Sequence, residues 1–168
     1  AVIAIGNCAS FGGIPGANAE VTKATAASEV VLEMNEDKPV ICVAGCPPHP
    51  DWLMGTIMDV LLWVEGKKER PELDENGCLK RFYKSTIHEN CERKPSFESK
   101  EFLLDWNDSE GIDDLCLIRM GCRGLKALGD CPVRHWNSDV SWCVGVNAPC
   151  HGCTKPGFYR KLPHGPKQ

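Results

Sequence analysis

Residues 38–46 read "KPVICVAGC", an apolar run rich in β-branched residues that ends in Gly45, directly before Cys46. Such a run, bounded by turn residues, is typical of a buried strand in a parallel sheet. The beginning of the chain has the same pattern, because "AVIAIGNC" at residues 1–8 is an apolar run that ends in a glycine shortly before a cysteine. The two stretches therefore predict two buried parallel strands.

The residues around these strands favour helices. The alanine-rich segment 19–35, "AEVTKATAASEVVLEMN", has the apolar spacing of one helix between the strands. A second helix is predicted from Asp51, a good capping residue, to about Val64. Its predicted apolar stripe consists of Leu53, Ile57, Leu61 and Val64. Strand, helix, strand and helix form a βαβ unit with one further helix, so the fold class of this half is α/β with a parallel sheet.

The second half of the chain has a different character. After residue 81 regular periodicity disappears, and Cys, His, Trp, Asn, Pro and Gly become frequent. Short helices or turns are predicted only within residues 97–108 and 111–128. A loop-rich segment of this kind buries little apolar surface and needs another source of stability. The chain is therefore predicted to consist of an α/β domain over residues 1–81 and an irregular, loop-rich domain over residues 82–168.

Composition limits the classes of function. The formal net charge of −4 gives no electrostatic basis for binding nucleic acid. No apolar run reaches the roughly 20 residues that span a bilayer. The unusual feature is the presence of eleven cysteines. Because this number is odd and the chain is long for a disulfide scaffold, metal ligation explains the cysteines better than extracellular disulfides do.

Two of these cysteines, Cys8 and Cys46, each lie just past the carboxyl end of a predicted strand. In open α/β sheets these ends line the ligand crevice, so the two thiols are predicted to meet at one edge of the sheet. Simple burial as small apolar residues is the alternative. A cubane iron–sulfur cluster takes four thiolates, and two strands cannot cover both faces of a sheet. We therefore expect a preceding segment or another chain to supply two ligands and to complete the sheet.

Two further sets of candidate ligands lie in the irregular half. The set drawn from "IHENC" and "CLIRMGC" consists of His88, Cys91, Cys116 and Cys122. The set that ends in "CHGC" consists of Cys131, Cys143, Cys150 and Cys153. Zinc would accept either set, although the C-x5-C spacing is longer than is usual for structural zinc. Three sets in one small protein favour iron–sulfur clusters, because zinc does not change its oxidation state. Cys42 and Cys78 are interpreted as non-ligands.

Six motifs together resemble the small, electron-transferring subunit of nickel–iron hydrogenases. They are "GNCASFGGIP", "GCPPHPDW", "IHENC", "CLIRMGC", "DCPVRHWN" and "APCHGC", and they follow in order to about Phe158. The resemblance implies that residues 1–81 are the C-terminal part of a flavodoxin-like domain and that residues 82–168 form a cluster-binding domain. It implies that Cys8 and Cys46 provide two ligands of a proximal 4Fe–4S cluster. It also implies a distal 4Fe–4S cluster on His88, Cys91, Cys116 and Cys122, and a medial cluster on Cys131, Cys150 and Cys153.

The sequence departs from the commoner family pattern at Cys143, where many members have proline and a 3Fe–4S medial cluster. A fourth thiolate implies a medial 4Fe–4S cluster, as in the nickel–iron–selenium branch, with a lower potential than a three-iron cluster. At the distal cluster, the neutral imidazole of His88 replaces one thiolate and is expected to raise the potential.

The resemblance therefore implies the electron-relay subunit of a hydrogenase, whose nickel–iron site is held by a separate large subunit. No catalytic residue is assigned to this chain. Electrons would pass through the proximal, medial and distal clusters to a soluble carrier such as a cytochrome or ferredoxin. The helix with Trp52 and Trp63 has apolar residues on more than one face, and both core packing and docking on the large subunit would explain them. The histidine ligand and the lack of a C-terminal membrane helix resemble periplasmic members.

Two alternative functions remain open at this point. A stand-alone polyferredoxin-like carrier or redox module would purify without a nickel-containing partner. A zinc-stabilised structural protein would be colourless, whereas an iron–sulfur protein is brown.

Overall fold

A computed structural model describes residues 1–34, 37–108 and 110–161. They form a mixed helix and strand structure of two compact units. The first unit comprises Ala1–Lys84 and Cys153–Arg160, and the second comprises Ser85–Gly152 and, at the end of the described chain, Lys161. Among the described residues, no helix combines the length and the hydropathy needed to cross a bilayer.

The first unit is built on a small parallel sheet, as predicted. Strands β1 (Val2–Ile5) and β2 (Val40–Val43) pair in parallel, with Ala4 opposite Cys42. Strand β2 is buried over most of its length, and Val43 has no exposed surface. Strand β1 is less buried than predicted, because Ile5 is 49% exposed. The prediction of two buried strands is therefore correct for β2 and correct only in part for β1.

The single helix predicted between the strands is wrong. After α1 (Gly6–Phe11) and a 3-10 turn (Pro15–Asn18), two helices follow, α2 (Ala19–Thr22) and α3 (Ala27–Met34). Helix α2 ends because Lys23 adopts a left-handed conformation with φ 57°. The Thr22 hydroxyl donates to the carbonyl of Pro15, at 2.9 Å, and accepts the amide of Ala24, at 3.2 Å. These bonds hold the chain in a turn where alanine content alone predicted a helix.

Helix α4 (Pro50–Val64) forms where predicted but begins and packs differently. Its cap is His49, whose Nδ1 accepts the amide of Asp51 at 3.1 Å, and Asp51 itself lies in the first turn. The predicted stripe is wrong, because Leu61 and Val64 are 53% and 66% exposed. The buried face consists instead of Trp52, Thr56, Asp59 and Val60. Two polar residues on that face concealed it from a count of apolar positions.

The core of the first unit forms between α4 and α5 (Lys80–Tyr83). Trp52 is fully buried, with its ring centroid 5.0 Å from that of Tyr83. The Tyr83 hydroxyl donates to the carbonyl of Ala44, just after β2, at 2.8 Å. On the opposite side of α4, Met54 and Met58 are 63% and 59% exposed. The helix thus connects the sheet edge to the core through one face and leaves an apolar face exposed.

The second unit consists of short helical turns and irregular segments. Its helices are α6 (Lys94–Glu98) and α7 (Cys131–Arg134). The 3-10 turns are Ile87–Asn90, Leu117–Met120, Gly124–Lys126 and Val144–Val146. The predicted turns within 111–128 are confirmed, whereas the helix expected within 97–108 ends early. Phe102 instead forms a parallel bridge with Cys116.

Candidate metal centres

All eleven cysteines lie in the described part of the chain, and none is in a disulfide. Their exposure differs widely. Cys8 and Cys46 are exposed, and Cys91, Cys122 and Cys153 are half-buried. A thiol-rich protein without disulfides has these sulfurs available for metal.

Cys8 and Cys46 lie at the carboxyl edge of the small sheet, as predicted. Cys8 is in the first turns of α1, not in a loop as the sequence suggested, and Cys46 directly follows Gly45. The Asn7 amide donates to the carbonyl of Gly45 at 2.7 Å, so the two cysteine-bearing segments are joined. A Cβ atom on Gly13 would lie 2.7 Å from the Cys8 sulfur. Glycine at position 13 is therefore required for this position of the thiol.

The His88 set is held on two turns of the second unit. His88 lies in the turn Ile87–Asn90, which is closed by a capping box between Thr86 and Glu89. Cys91 ends that turn, and its amide donates to the His88 carbonyl at 3.2 Å. A Cβ atom on Gly124 would lie 3.5 Å from the His88 backbone nitrogen and 3.7 Å from the Cys122 sulfur. His88, Cys91 and Cys122 thus surround one small region next to Gly124.

The thiols of this set influence one another's ionisation. Burial raises the pKa of Cys91 to about 11, and the charges of Glu92, Cys122 and Cys116 raise it further. The backbone amide of Arg93 acts in the opposite direction. Burial also raises the pKa of Cys116, with a further contribution from Cys122. The three thiols are therefore close together, and each must lose a proton before it binds a metal.

The imidazole of His88 suits metal ligation. Burial lowers its pKa and so does the charge of Lys94, whereas Glu98 and Glu89 oppose the change. A lowered pKa leaves the imidazole neutral at pH 7, which is the form that binds metals. The ring packs edge-on against Phe97, with centroids 4.5 Å apart, and this contact fixes its plane.

The third predicted set is divided between the two units. Cys131 begins α7, Cys143 precedes the turn Val144–Val146, and the Cys150 carbonyl accepts the amide of Arg123 at 2.7 Å, all in the second unit. Cys153 is in the first unit, where its carbonyl accepts a hydrogen bond from Asn7 at 2.9 Å. Desolvation of the Cys143 thiol raises its pKa, and the charge of Cys122 adds to this. Cys143 is therefore close to the His88 set as well.

Within residues 1–34, 37–108 and 110–161, no three His, Cys, Asp or Glu side chains meet as the ligands of one metal ion would. A cubane cluster sets a different requirement, because its four ligands bind four different iron atoms and lie farther apart. The donor chemistry, thiols with one neutral imidazole, fits such a cluster.

Sequence reasoning missed Arg93, the most buried charged side chain near these thiols. Its residue is 4% exposed. Nη1 donates to the carbonyls of Ile112 and Leu115, at 2.8 and 3.0 Å, and Nη2 donates to the Val144 carbonyl at 3.0 Å and to Asn147 Oδ1. Its Nε has no hydrogen-bond partner among the described residues. A buried cation beside a group of thiols fits an anionic cluster; its position two residues after "HENC" was the only signal in the sequence.

Comparisons with known proteins agree with this thiol-rich arrangement. Residues 83–164 match the family that describes the C-terminal region of the NiFe/NiFeSe hydrogenase small subunit. Residues 1–60 match the NADH ubiquinone oxidoreductase, 20 Kd subunit, family. The chain belongs to the hydrogenase small-subunit family, as the resemblance of its motifs predicted.

The individual relatives give the extent of the similarity. The periplasmic NiFeSe hydrogenase small subunit of Desulfomicrobium baculatum is 36% identical over 160 residues, which cover 94% of this chain and 49% of the relative. The uptake hydrogenase small subunit of Rhizobium leguminosarum bv. viciae is 37% identical over 159 residues, covering 95% of this chain and 42% of the relative. The chain thus spans about half the length of the curated relatives it matches.

Solved structures give the same result. The H2-activated NiFeSe hydrogenase from Dm. baculatum matches with a TM-score of 0.85 and 35% identity, over 94% of this chain and 55% of that chain. The recombinant NiFeSe hydrogenase from Desulfovibrio vulgaris Hildenborough matches with a TM-score of 0.84 and 37% identity, over 94% and 56%.

Proposed function

We propose that this chain is the electron-relay part of the small subunit of a nickel–iron hydrogenase of the nickel–iron–selenium type. It transfers electrons between the H2-activating site of a large subunit and an external carrier. The observation that carries this proposal is the grouping of His88 with three mutually interacting thiols in a member of the hydrogenase small-subunit family. This chain is an electron carrier and holds no nickel ligands in the proposal.

The proposed distal 4Fe–4S cluster binds to His88, Cys91, Cys116 and Cys122. Its support is the proximity of His88 and Cys122 at Gly124 and the electrostatic interaction of the three thiols. The proposed proximal 4Fe–4S cluster takes Cys8 and Cys46 from this chain. Its support is the hydrogen bond that joins the two cysteine-bearing segments at the sheet edge.

The proposed medial 4Fe–4S cluster binds to Cys131, Cys143, Cys150 and Cys153. Its support is the family motif and the donor set, since Cys143 supplies the thiolate where many members have proline. With this cluster in the middle, the relay runs from the proximal to the medial to the distal cluster.

We also propose that residues 1–81 are the C-terminal part of a flavodoxin-like domain and residues 82–168 a cluster-binding domain. The parallel pairing of β1 with β2 and the helix that follows each strand support the first assignment. The remaining proximal ligands come from an N-terminal small-subunit segment. A periplasmic location, proposed from the printed name of one relative, and a soluble cytochrome or ferredoxin acceptor complete the proposal.

The clusters, when bound, supply the one-electron redox chemistry. The side chains of this chain prepare their binding. The raised pKa values of Cys91 and Cys116 mean that loading displaces protons from these thiols, so loading is expected to become easier as the pH rises. His88 binds without losing a proton and adds no negative charge.

Counting iron tests the proposal. The complete small subunit that contains this chain is purified anaerobically with its large subunit, and iron and sulfide are measured per complex. We expect three clusters in the wild-type protein and two in the Cys122→Ala variant. The matched control is Cys42→Ala, a buried cysteine outside the proposed sets, which should retain all three.

The Cys143→Ala variant is analysed in the same way and should lose a single iron atom rather than a whole cluster. A wild-type protein that contains zinc in place of iron, or an equal iron loss in Cys42→Ala and Cys122→Ala, would contradict the proposal.

A further inference from the structure

We infer that Arg93 is an electrostatic positioning residue, which joins the loops that carry Cys116 and Cys143 and supplies the positive charge that favours reduction of the clusters they bind. This inference rests on the proposed function. It concerns the ease with which electrons enter the relay, which no cysteine ligand determines by itself.

The hydrogen bonds of the guanidinium join two ligand loops. Two of its acceptors, the carbonyls of Ile112 and Leu115, lie directly before Cys116. The other two, the Val144 carbonyl and Asn147 Oδ1, lie directly after Cys143. Arg93 itself follows Cys91 by two residues. One side chain therefore connects segments next to three proposed ligands, and the planar fork of arginine is suited to such multiple contacts.

The charge of Arg93 has no carboxylate in direct contact among the described residues, because its acceptors are three carbonyls and one amide oxygen. The nearest acidic group in this network is Asp113, which accepts a hydrogen bond from Asn147 Nδ2 at 2.7 Å. A buried cation is costly unless it is paired. The unsatisfied Nε and the proximity of Cys116, whose pKa Arg93 lowers, indicate that the thiolate-bound cluster is the missing anion.

The direction of the effect follows from the charges. Each cluster gains one negative charge on reduction, and a nearby buried cation stabilises the more negative state. Arg93 should therefore raise the reduction potential of the nearest cluster. Removing its charge should lower the ratio of reduced to oxidised cluster at a fixed potential by roughly tenfold, at an effective dielectric constant of about 20.

The test measures cluster potentials in the anaerobically purified complex by redox titration followed with electron paramagnetic resonance. Arg93→Met removes the charge and the hydrogen bonds, whereas Arg93→Lys keeps the charge. We expect a shift to lower potential in Arg93→Met and a potential near that of the wild type in Arg93→Lys. Arg119→Met is the control, because it removes an exposed charge from the same unit.

A second variant keeps the geometry if Arg93→Met fails to fold. Asn147→Asp combined with Asp113→Asn exchanges the two hydrogen-bonded partners without changing the net charge, and it places a carboxylate directly on Arg93. We expect this pair to lower the potential as well.

The results separate the two hypotheses. A wild-type complex without iron would refute the proposed function. Normal iron content with unchanged potentials in Arg93→Met and in the exchanged pair would refute the role of Arg93 alone. Equal shifts in Arg93→Met and Arg93→Lys would show that the hydrogen bonds, and not the charge, are responsible, and would also overturn the inference.

Discussion

Cys78 illustrates what burial does to a single thiol. It is 2% exposed and forms a parallel bridge with Cys42. Its amide donates to Asp74 Oδ1 at 2.8 Å. Burial raises the pKa of Cys78, and the charges of Asp74 and Cys42 raise it further. The folded protein therefore holds this thiol in its protonated form, in agreement with its interpretation as a non-ligand.

Cys78 should make the protein less stable in alkali. An unfolded thiol has a pKa of about 8.5, and the folded pKa is higher, so the stabilising effect is complete below pH 8.5 and is lost as the pH rises towards the folded pKa. Between pH 8.5 and 10 the loss should be about 1–2 kcal/mol. Urea unfolding at pH 7.5 and 10 measures it.

The matched variant is Cys78→Ala, whose stability should fall less over this range than that of the wild type. An identical fall in both proteins would assign the alkaline loss to other groups.

At the scale of the elements, α4 and α5 are fitted closely at Gly55. A Cβ atom at this position would lie 2.5 Å from the ring of Phe82, which is 2% exposed and has no room to move. We expect Gly55→Ala to destabilise the protein by about 1–2 kcal/mol, because the clash exceeds the gain in helix propensity. Thermal or urea unfolding measures this change.

The control for Gly55→Ala is Met54→Ala on the exposed face of the same helix, where a change within about 0.5 kcal/mol is expected. Phe82→Leu in the Gly55→Ala background should recover part of the loss. A Gly55→Ala protein as stable as the wild type would show that the contact between the two helices is loose.

The sequence predicted which elements exist better than where they begin and which face they bury. Strands β1 and β2 and helix α4 were predictable because apolar runs and helix signals are local. The cap and buried face of α4 were not, because His49 acts through Nδ1 and Asp59 is buried with Lys68 at 2.7 Å. Both depend on partners distant from the apolar pattern. The same holds for the Thr22 turn that divides α2 from α3.

At the scale of the whole molecule, the two units differ in their sources of stability. The first has a sheet, a long helix and aromatic contacts, whereas residues 85–152 contain only short helical turns and isolated bridges in the described part. Removing iron with a chelator should therefore destabilise the second unit first. Limited proteolysis should then cut within residues 85–152 before it cuts within residues 1–84.

The control for this experiment is protein carried through the same steps with its iron retained. Equal cleavage of both units after chelation would contradict the view that metal stabilises the second one.

The candidate ligands were predictable because cysteine and histidine motifs are read directly from spacing, and the family resemblance orders them into sets. Arg93 was not predictable, because three of its four acceptors are backbone carbonyls, which leave no mark in the sequence. The division of Cys153 from the other three cysteines of its set was also hidden.

The exposed thioethers of Met54 and Met58 bear on how samples of this protein age. Peroxide converts accessible methionine to the sulfoxide, and these two side chains project from α4 on the face opposite Trp52 and Val60. Material stored in air should therefore gain oxygen on this helix without loosening its packing. Peptide mass spectrometry of α4 would thus record the oxidative history of a preparation.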